Sequence, residues 1–258
     1  MKEIAKRLYW ILSYQFGLDP RKLFRSLRGV PRYVLNWIEF NRQYDGRINF
    51  FPCLHDWYEE GGTTKNEYFW QDLYVARKIY LANPTTHIDV GSRIDGFVAH
   101  VASFRDIEVI DIRPITSKIP GVTFKQADLM AKTFSLNAQC DSLSCLHALE
   151  HFGLGRYGDP IDPQGYAKGL ANMTALLKTG GTFYLAIPIG QERVEFNAHR
   201  VFDPRLLLQV AQSHGCSLTG FAWFTQDNGL TESEAFLSDI EMLSKKSYSL
   251  GIFTFKKQ

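Results

Sequence analysis

Apolar and polar positions alternate in two different ways along this chain. Residues 2–16 and 21–43 carry apolar side chains at helical spacing among many basic ones, interrupted from Gly17 to Pro20, with Pro31 a candidate kink in the second helix. Residues 44–64 show no regular period and hold Pro52 and the Gly61-Gly62 pair. From Glu67 to Ala82, Phe69, Leu73, Ala76 and Tyr80 recur at i, i+4, i+7 and i+11, which predicts a helix with those residues on one face. Asn83-Pro84 stops it.

Beyond that point short apolar runs take over. HIDV (87–90), EVIDI (108–112), VTFKQA (122–127), DSLSCL (141–146), TFYLAIPI (182–189), SLTGFAWF (217–224) and SLGIFTF (249–255) predict seven strands. A helix starts within 96–104. Asp162-Pro163 caps another that runs to Lys178, with Tyr166, Leu170, Met173 and Leu177 on one face, closed by Gly180-Gly181. Asp203-Pro204 repeats the signal for a helix ending at Gly215. Strand–helix alternation predicts an α/β, doubly wound, Rossmann-like fold: a mostly parallel seven-stranded sheet with helices on both faces. The last two strands, separated by a polar, acidic stretch with no clear helix, predict an antiparallel edge strand. The expected organisation is an N-terminal helical extension (1–66) and a Rossmann-like domain (67–258), without internal repeats or low-complexity segments.

Composition changes this picture in one place. A net charge of +2 over 258 residues implies no polyanion partner, and nucleic acid is not expected. Yet residues 1–50 hold ten Lys/Arg against four acids, together with Tyr9, Trp10, Phe16, Phe24, Tyr33, Trp37 and Phe40. Such a segment suits peripheral contact with an anionic membrane surface or a charged substrate. The plainer reading packs it on the main domain with a solvated basic face. No apolar run approaches the roughly 18 residues that span a bilayer. The opening MKEIAKRLYWILSYQFGL lacks a small-residue cleavage site and is interrupted at Ser13, Tyr14 and Gln15, so it does not read as a signal peptide. Cys53, Cys140, Cys145 and Cys216 show no C-x-x-C spacing and are expected as reduced thiols. The expected location is the cytoplasm, with the inner face of the membrane as the place for the basic segment.

Polar residues collect at the predicted strand ends, where open parallel sheets bind ligands. D-V-G-S-R-I-D-G (Asp89 to Gly96) follows the first strand, and its glycines permit close approach of backbone to a ligand. Asp111, twenty residues after Gly91, stands where a carboxylate receives two ribose hydroxyls. Asp128 follows the third strand, and His147, Glu150 and His151 follow the fourth. Gly91 and Gly96 have P-loop spacing, but Phe97 and Val98 replace the lysine and hydroxyl that hold a triphosphate and Mg²⁺. Arg93 stands where a dinucleotide fingerprint needs its second glycine, and Asp95 would repel a pyrophosphate. A loop with acids around it suits a cationic, phosphate-free nucleoside cofactor.

On these residues the chain from about Glu67 to its end resembles the class I S-adenosylmethionine-dependent methyltransferases. Their first glycine loop matches Asp89–Gly96, the acid ending their second strand Asp111, the Asp after their third strand Asp128, and their Leu-Glu-His loop Leu149-Glu150-His151. GGTFYLAIP matches their fifth strand. The resemblance implies S-adenosyl-L-methionine as cofactor, held by Asp89, Gly91, Ser92, Gly96, Asp111, Ile112, Asp128, Leu129 and His147. Gly91-Ser92-Arg93 departs from the G-x-G that the family often has, which weakens the carry-over at the methionine end. More narrowly, DVGSRIDGF, CLHALEHFGLGRYGDP and FNAHRVF look like an uncharacterised methyltransferase-like family met among bacterial surface-polysaccharide functions. That implies methylation of a sugar.

His147 to His151 is formally H-x-x-E-H, an inverted zinc-peptidase motif. Gly153 and Gly155 follow at once and no third ligand is evident, so no metal is expected. The alternative is acid–base work. His151 is the candidate base for a hydroxyl acceptor, with Glu150 orienting its imidazole and an apparent pKa near 6–7. A hydrogen-bonded structural histidine, with positioning alone doing the chemistry, is the competing reading. In PIGQERVEFNAHRVFDP, Glu192, Arg193, Asn197, His199 and Arg200 enter the same crevice from the acceptor side. His199 is a second catalytic candidate, Asn197 and Arg200 bind substrate, and the arginines suit an attached phosphate. The expected function is O-methylation of a sugar hydroxyl in a surface glycan or its precursor. A nicotinamide-dependent sugar oxidoreductase and a catalytically inactive methyltransferase-fold binding module are the rivals. The acceptor and the oligomeric state stay open.

Overall fold

The computed structural model describes residues 5, 8–62, 64–131 and 139–258. The chain divides into two compact units, Met1–Thr63 and Thr64–Gln258.

The first unit is built on α1 (Pro20–Gln43). Asp19 caps it, its Oδ1 accepting the Arg21 and Lys22 amides at 2.9 and 3.2 Å, and Pro20 supplies the preset first-turn φ. The helix runs unbroken through Pro31. Gly29 is its buried residue, because any side chain there would run into the Leu54 carbonyl. The helix expected over 2–16 falls partly outside the described residues (2–4, 6 and 7). Within it, Ile11–Gln15 form a wide π-type turn.

In the second unit, α2 (Glu67–Ala82) is capped by Asn66, whose side chain accepts the Tyr68 amide at 2.9 Å. It ends at Asn83, in the left-handed region at φ 42°. Eight strands follow in one sheet of order β3-β2-β1-β4-β5-β10-β8-β9. They are β1 (His87–Val90), β2 (Ile107–Asp111), β3 (Val122–Gln126), β4 (Cys140–Leu146), β5 (Leu177–Ile189), β8 (Cys216–Thr225), β9 (Gly229–Glu232) and β10 (Ser249–Lys257). The pairs among β1 to β5 are parallel; β10 runs antiparallel to both β5 and β8, and β9 antiparallel to β8. The fold is the expected doubly wound α/β one, with two differences. The antiparallel β10 lies inside the sheet, and the edge is the extra strand β9. The polar stretch before β10 also contains a helix, α6 (Phe236–Ser244), which buries Ile240 and Leu243.

Side chains of β5 leave alternately to the two faces, as the two-residue period of a strand requires. Phe183, Leu185, Ile187 and Ile189 join one core with Leu170, Met173 and Leu176 of α4 (Gly165–Leu176) and Leu207, Leu208 and Ala211 of α5 (Pro204–Ser213). Tyr184 and Ala186 join the other, with Val75, Ala76 and Ile79 of α2 and Val98 and Val101 around α3 (Ala99–Ala102). Helices therefore cover both faces, which explains the continuous apolar runs of the central strands. On α2 the inward face is Gln71, Asp72, Val75, Ala76 and Ile79, whereas Phe69, Leu73 and Tyr80 are exposed. The face picked out by apolar periodicity is thus largely the outer one. Cys140, Cys145 and Cys216 are buried free thiols, and Cys53 is exposed. Among the described residues no helix is long and apolar enough to cross a membrane.

Candidate active site at the carboxyl edge of the sheet

Parallel pairing brings the ends of β1 to β4 to one edge. The Gly91 amide donates to the Ile110 carbonyl (2.9 Å), the Ala127 amide to that of Asp111 (3.1 Å) and the His147 amide to that of Ala186 (2.8 Å). The loop after β1 turns at Gly91, whose φ of 69° favours glycine; a Cβ there would lie 2.9 Å from that of Ala148. A Cβ at Gly96 would meet Asp72 Oδ2 at 2.5 Å.

Asp89 lies beneath this loop and is fully buried. Its Oδ1 accepts the hydroxyls of Ser92 and Ser144, both at 2.6 Å, and its Oδ2 the Ser92 amide at 3.0 Å. Ser92 Oγ in turn accepts the Leu146 amide at 3.1 Å. Asp89 and Ser92 were expected to touch cofactor; the structure instead spends them on tying the β1 loop to β4. Burial pushes the Asp89 carboxyl up to about 6 despite these bonds. His87 continues the chain, with Nδ1 2.8 Å from Ser142 Oγ and Nε2 3.1 Å from Ser144 Oγ. Because Ser144 gives its proton to Asp89, His87 must donate from Nε2 and accept at Nδ1. Burial holds it neutral, with a pKa of about 3.

Asp111 ends β2 with its side chain 9% exposed and is bound by Arg113. Oδ1 takes the Arg113 amide (2.8 Å) and Nε (3.1 Å), and Oδ2 takes Nη2 (2.7 Å). Ile112, beside it, is half-buried. Asp128 is half-buried and accepts the Met130 amide at 2.8 Å, while Leu129 is buried and its carbonyl accepts Asn172 Nδ2 at 2.6 Å.

His147 sits at φ 52°, in the left-handed region, where the chain leaves β4. Its Nδ1 lies 2.7 Å from Gln71 Oε1 and its Nε2 3.2 Å from Glu67 Oε1. Both partners are acceptors, so both nitrogens donate and the ring is an imidazolium. Burial opposes that charge, but Glu67, with Glu150 and Asp72 nearby, outweighs it and the pKa is raised. Glu67 also accepts the Tyr248 hydroxyl at 2.7 Å. Burial works against its carboxylate too, yet these bonds hold it below the usual range. Tyr68 packs its ring on His147 with centroids 4.4 Å apart. Glu67, Tyr68, Gln71 and Tyr248 had no signal in the sequence beyond α2 itself.

His151 is buried on the short 3₁₀ turn Leu149–His151. Its Nδ1 donates to the Ala198 carbonyl at 2.7 Å, at the tip of a hairpin formed by β6 (Arg193–Glu195) and β7 (His199–Val201). Glu150 therefore does not orient the ring: Oε1 stands 3.7 Å from Nε2, beyond hydrogen-bond range. Burial, helped by Arg156, lowers His151 to about 3, not the 6–7 expected. Glu150 is buried with no partner for Oε2 among the described residues, and burial raises its carboxyl to about 7.

On β7, His199 is half-buried, its ring 6.3 Å from Tyr248, and burial lowers its pKa. Asn197 is exposed on the hairpin tip. Arg200 departs from its expected role. It is buried and donates to the carbonyls of Phe152 (2.6 Å), Glu150 (3.3 Å) and Pro163 (3.4 Å), pinning the loop that carries His151. Arg193 is likewise committed to Glu195 at 2.8 Å and the Ser247 carbonyl at 2.6 Å. Neither guanidinium is placed to receive a substrate phosphate. Among the described residues, the metal-capable set with ligand atoms within 4.8 Å of one another is His55, Asp56 and Glu59 in the first unit, not the H-x-x-E-H residues.

Residues 113–254, more than half of the chain, match the family model described as Caenorhabditis protein of unknown function, DUF268; the β1 loop and Asp111 precede the matched span. The chain belongs to that family. The family's description names no activity. No curated protein matches the chain. Among solved structures, it is similar to the 1,6-didemethyltoxoflavin-N1-methyltransferase of Burkholderia thailandensis, solved with 1,6-didemethyltoxoflavin and S-adenosylhomocysteine bound. Identity is 15%, the TM-score 0.53, and 93% of this chain and 91% of that one are covered. It is similar also to the [4+2]-cyclase SpnF (14%, TM-score 0.51, 72% and 80% covered). A third is the N-methyltransferase NodS of Bradyrhizobium japonicum WM9 (12%, TM-score 0.50, 74% and 97% covered). At these identities the likeness shows the fold, that of the class I methyltransferases, which also carries a cyclase.

Proposed function

We propose that this chain is an S-adenosylmethionine-dependent methyltransferase that O-methylates a sugar hydroxyl of a surface glycan or its precursor. One observation carries the cofactor reading: the side-chain-free turn at Gly91 stands beside Asp111, an acid with an open acceptor position at the end of β2. The donor set fits a cationic nucleoside. Asp95 on the loop after β1 and Asp111 at the end of β2 put carboxylates at this edge, each pairing the neighbouring arginine, Arg93 at 2.9 Å and Arg113 at 2.7 Å, and carboxylates favour a cation over a pyrophosphate. A nicotinamide dinucleotide fits this loop less well for that reason. Asp111 would receive the ribose, Gly91 would admit backbone contact with the methionine end, and Asp128 and Leu129 would flank the base. When bound, S-adenosylmethionine supplies a methyl group activated on a sulfonium.

On the acceptor side, His151 Nε2 and Glu150 Oε2 can each take a hydroxyl proton, the first a weakly basic neutral nitrogen, the second a carboxylate oxygen with no partner among the described residues, and the neutral, half-buried His199 is the other candidate base. Tyr68, Tyr157 and Tyr248 add rings with polar rims, which suit a sugar. Arg156 and Arg200 hold the hairpin tip and the HALEH loop, and so fix this crevice. Thermal unfolding tests the cofactor half: S-adenosylhomocysteine at one hundred times its Kd should stabilise by about 2.7 kcal/mol, and NAD should not. For the acceptor half, labelled methyl groups should pass to nucleotide-linked sugars. Transfer to amines alone, or none to any hydroxyl, would overturn that half.

A further inference from the structure

The first unit carries a surface that the reaction proposed above does not use. On α1, Leu23, Leu27, Val30, Val34 and Ile38 fall at i, i+4, i+7, i+11 and i+15, one stripe over four turns, and each is at least 36% exposed. The unit's own packing uses the adjoining face: Gly29 lies against Leu54, and Tyr33 and Trp37 against Phe50 with ring centroids 6.2 and 5.4 Å apart. Phe24 and Leu35, also exposed, extend the stripe round the helix towards Arg21, Arg25 and Arg28, which line an open cleft of about 490 Å³ together with Phe24 and Tyr58. Arg28 stands 5.2 Å from the Tyr58 ring, and Arg32 4.2 Å from that of the exposed Trp57.

We propose that the first unit docks on an anionic phospholipid surface, its Leu23–Ile38 stripe lying at the acyl boundary and its arginine-lined cleft receiving headgroup phosphates. The charge selects this occupant. Over α1 six Lys/Arg (21, 22, 25, 28, 32, 42) face one acid, Glu39, so a second copy of the helix would be repelled and a negative leaflet attracted. Apolar face, basic flank and rim aromatics are the composition of a helix that lies in the membrane plane.

Sedimentation of the full chain with lipid vesicles tests it. The chain should pellet with phosphatidylcholine vesicles containing phosphatidylglycerol, far less with phosphatidylcholine alone, and rising salt should release it. Arg21→Ala, Arg25→Ala and Arg28→Ala together should lower partitioning to the anionic vesicles on the order of 100-fold. Leu27→Ser with Val34→Ser should lower it on both lipids. The replaced side chains are exposed, so helicity and the unfolding midpoint should hold; Leu23→Ser with Ile38→Ser serves if the first pair misfolds. Equal binding to both lipids, or none, overturns the proposal. So does release by inorganic phosphate, which points to a soluble ligand. A solution dimer that the stripe changes dissociate, with vesicle binding intact, overturns it too.

Discussion

Asp111→Ala tests the ribose contact, and the structure sets the size of the effect. A carboxylate has about four acceptor positions. Arg113 fills three: two on Oδ1, from its amide at 2.8 Å and Nε at 3.1 Å, and one on Oδ2, from Nη2 at 2.7 Å. One position on Oδ2 therefore stands open to a ribose hydroxyl, and a second opens if the Arg113 side chain yields. That side chain is 47% exposed, so its ion pair is worth at most about 1 kcal/mol and gives way cheaply. A hydrogen bond to a charged acceptor contributes about 1.5–3 kcal/mol. Asp111→Ala should thus weaken S-adenosylhomocysteine about 10- to 150-fold by calorimetry. Asp111→Asn, which keeps one acceptor, should be milder. Arg113→Ala should change affinity by less than about fivefold, since it frees acceptor positions but removes the stack on Tyr157 (4.3 Å). Urea unfolding checks that each variant is folded. If both Asp111 variants bind as wild type does, Asp111 is not the ribose ligand and the pocket has been placed at the wrong group.

Other consequences can be measured on the protein alone. Gly91→Ala forces a side chain into the left-handed region and against Ala148, and should cost about 1–3 kcal/mol in urea unfolding; unchanged stability would mean the turn can relax. Glu150 titrates near 7 folded against 4.5 in its ordinary state. The raised value means its protonated carboxyl favours the fold below pH 4.5, and that advantage fades as pH climbs to 7. Stability of wild type relative to Glu150→Gln should therefore fall over that window, by about 3 kcal/mol at most; parallel curves would show the carboxyl is not shifted. Exhaustive chelation should leave the unfolding temperature and S-adenosylhomocysteine binding unchanged, because both His147 nitrogens donate to Gln71 and Glu67. A loss on chelation would restore the zinc reading of H-x-x-E-H.

How much of this was legible in the sequence follows from how locally each feature is encoded. β1, β2 and β4 are buried on both faces and so announce themselves as short apolar runs. Asp203 marks a helix start through a contact two residues away, whereas the caps at Asp19 and Asn66, equally local, were passed over. α6 and β9 were hidden because α6 buries only one side and β9 is a four-residue edge strand with a mostly half-buried pattern. α2 had its limits right and its face largely wrong: Gln71 and Asp72 point inward, where polar groups meet His147 and the β1 loop, and this inverts the apolar rule. The same non-locality hid the Glu67–His147–Tyr248 cluster, joined across 80 and 181 positions. Strand-end acids were visible as residue types, but not their partners. Asp89 and Arg200 have the chemistry of ligand contacts and are consumed internally.

The central claim is that the carboxyl edge of this sheet holds S-adenosylmethionine, and calorimetric titration of the full chain tests it most directly. S-adenosylmethionine and S-adenosylhomocysteine should each bind at one site with micromolar affinity, on the order of −7 to −8 kcal/mol. NAD and ATP, measured alongside, should give no heat of binding. Heat with NAD or ATP and none with either sulfur nucleoside would contradict the account.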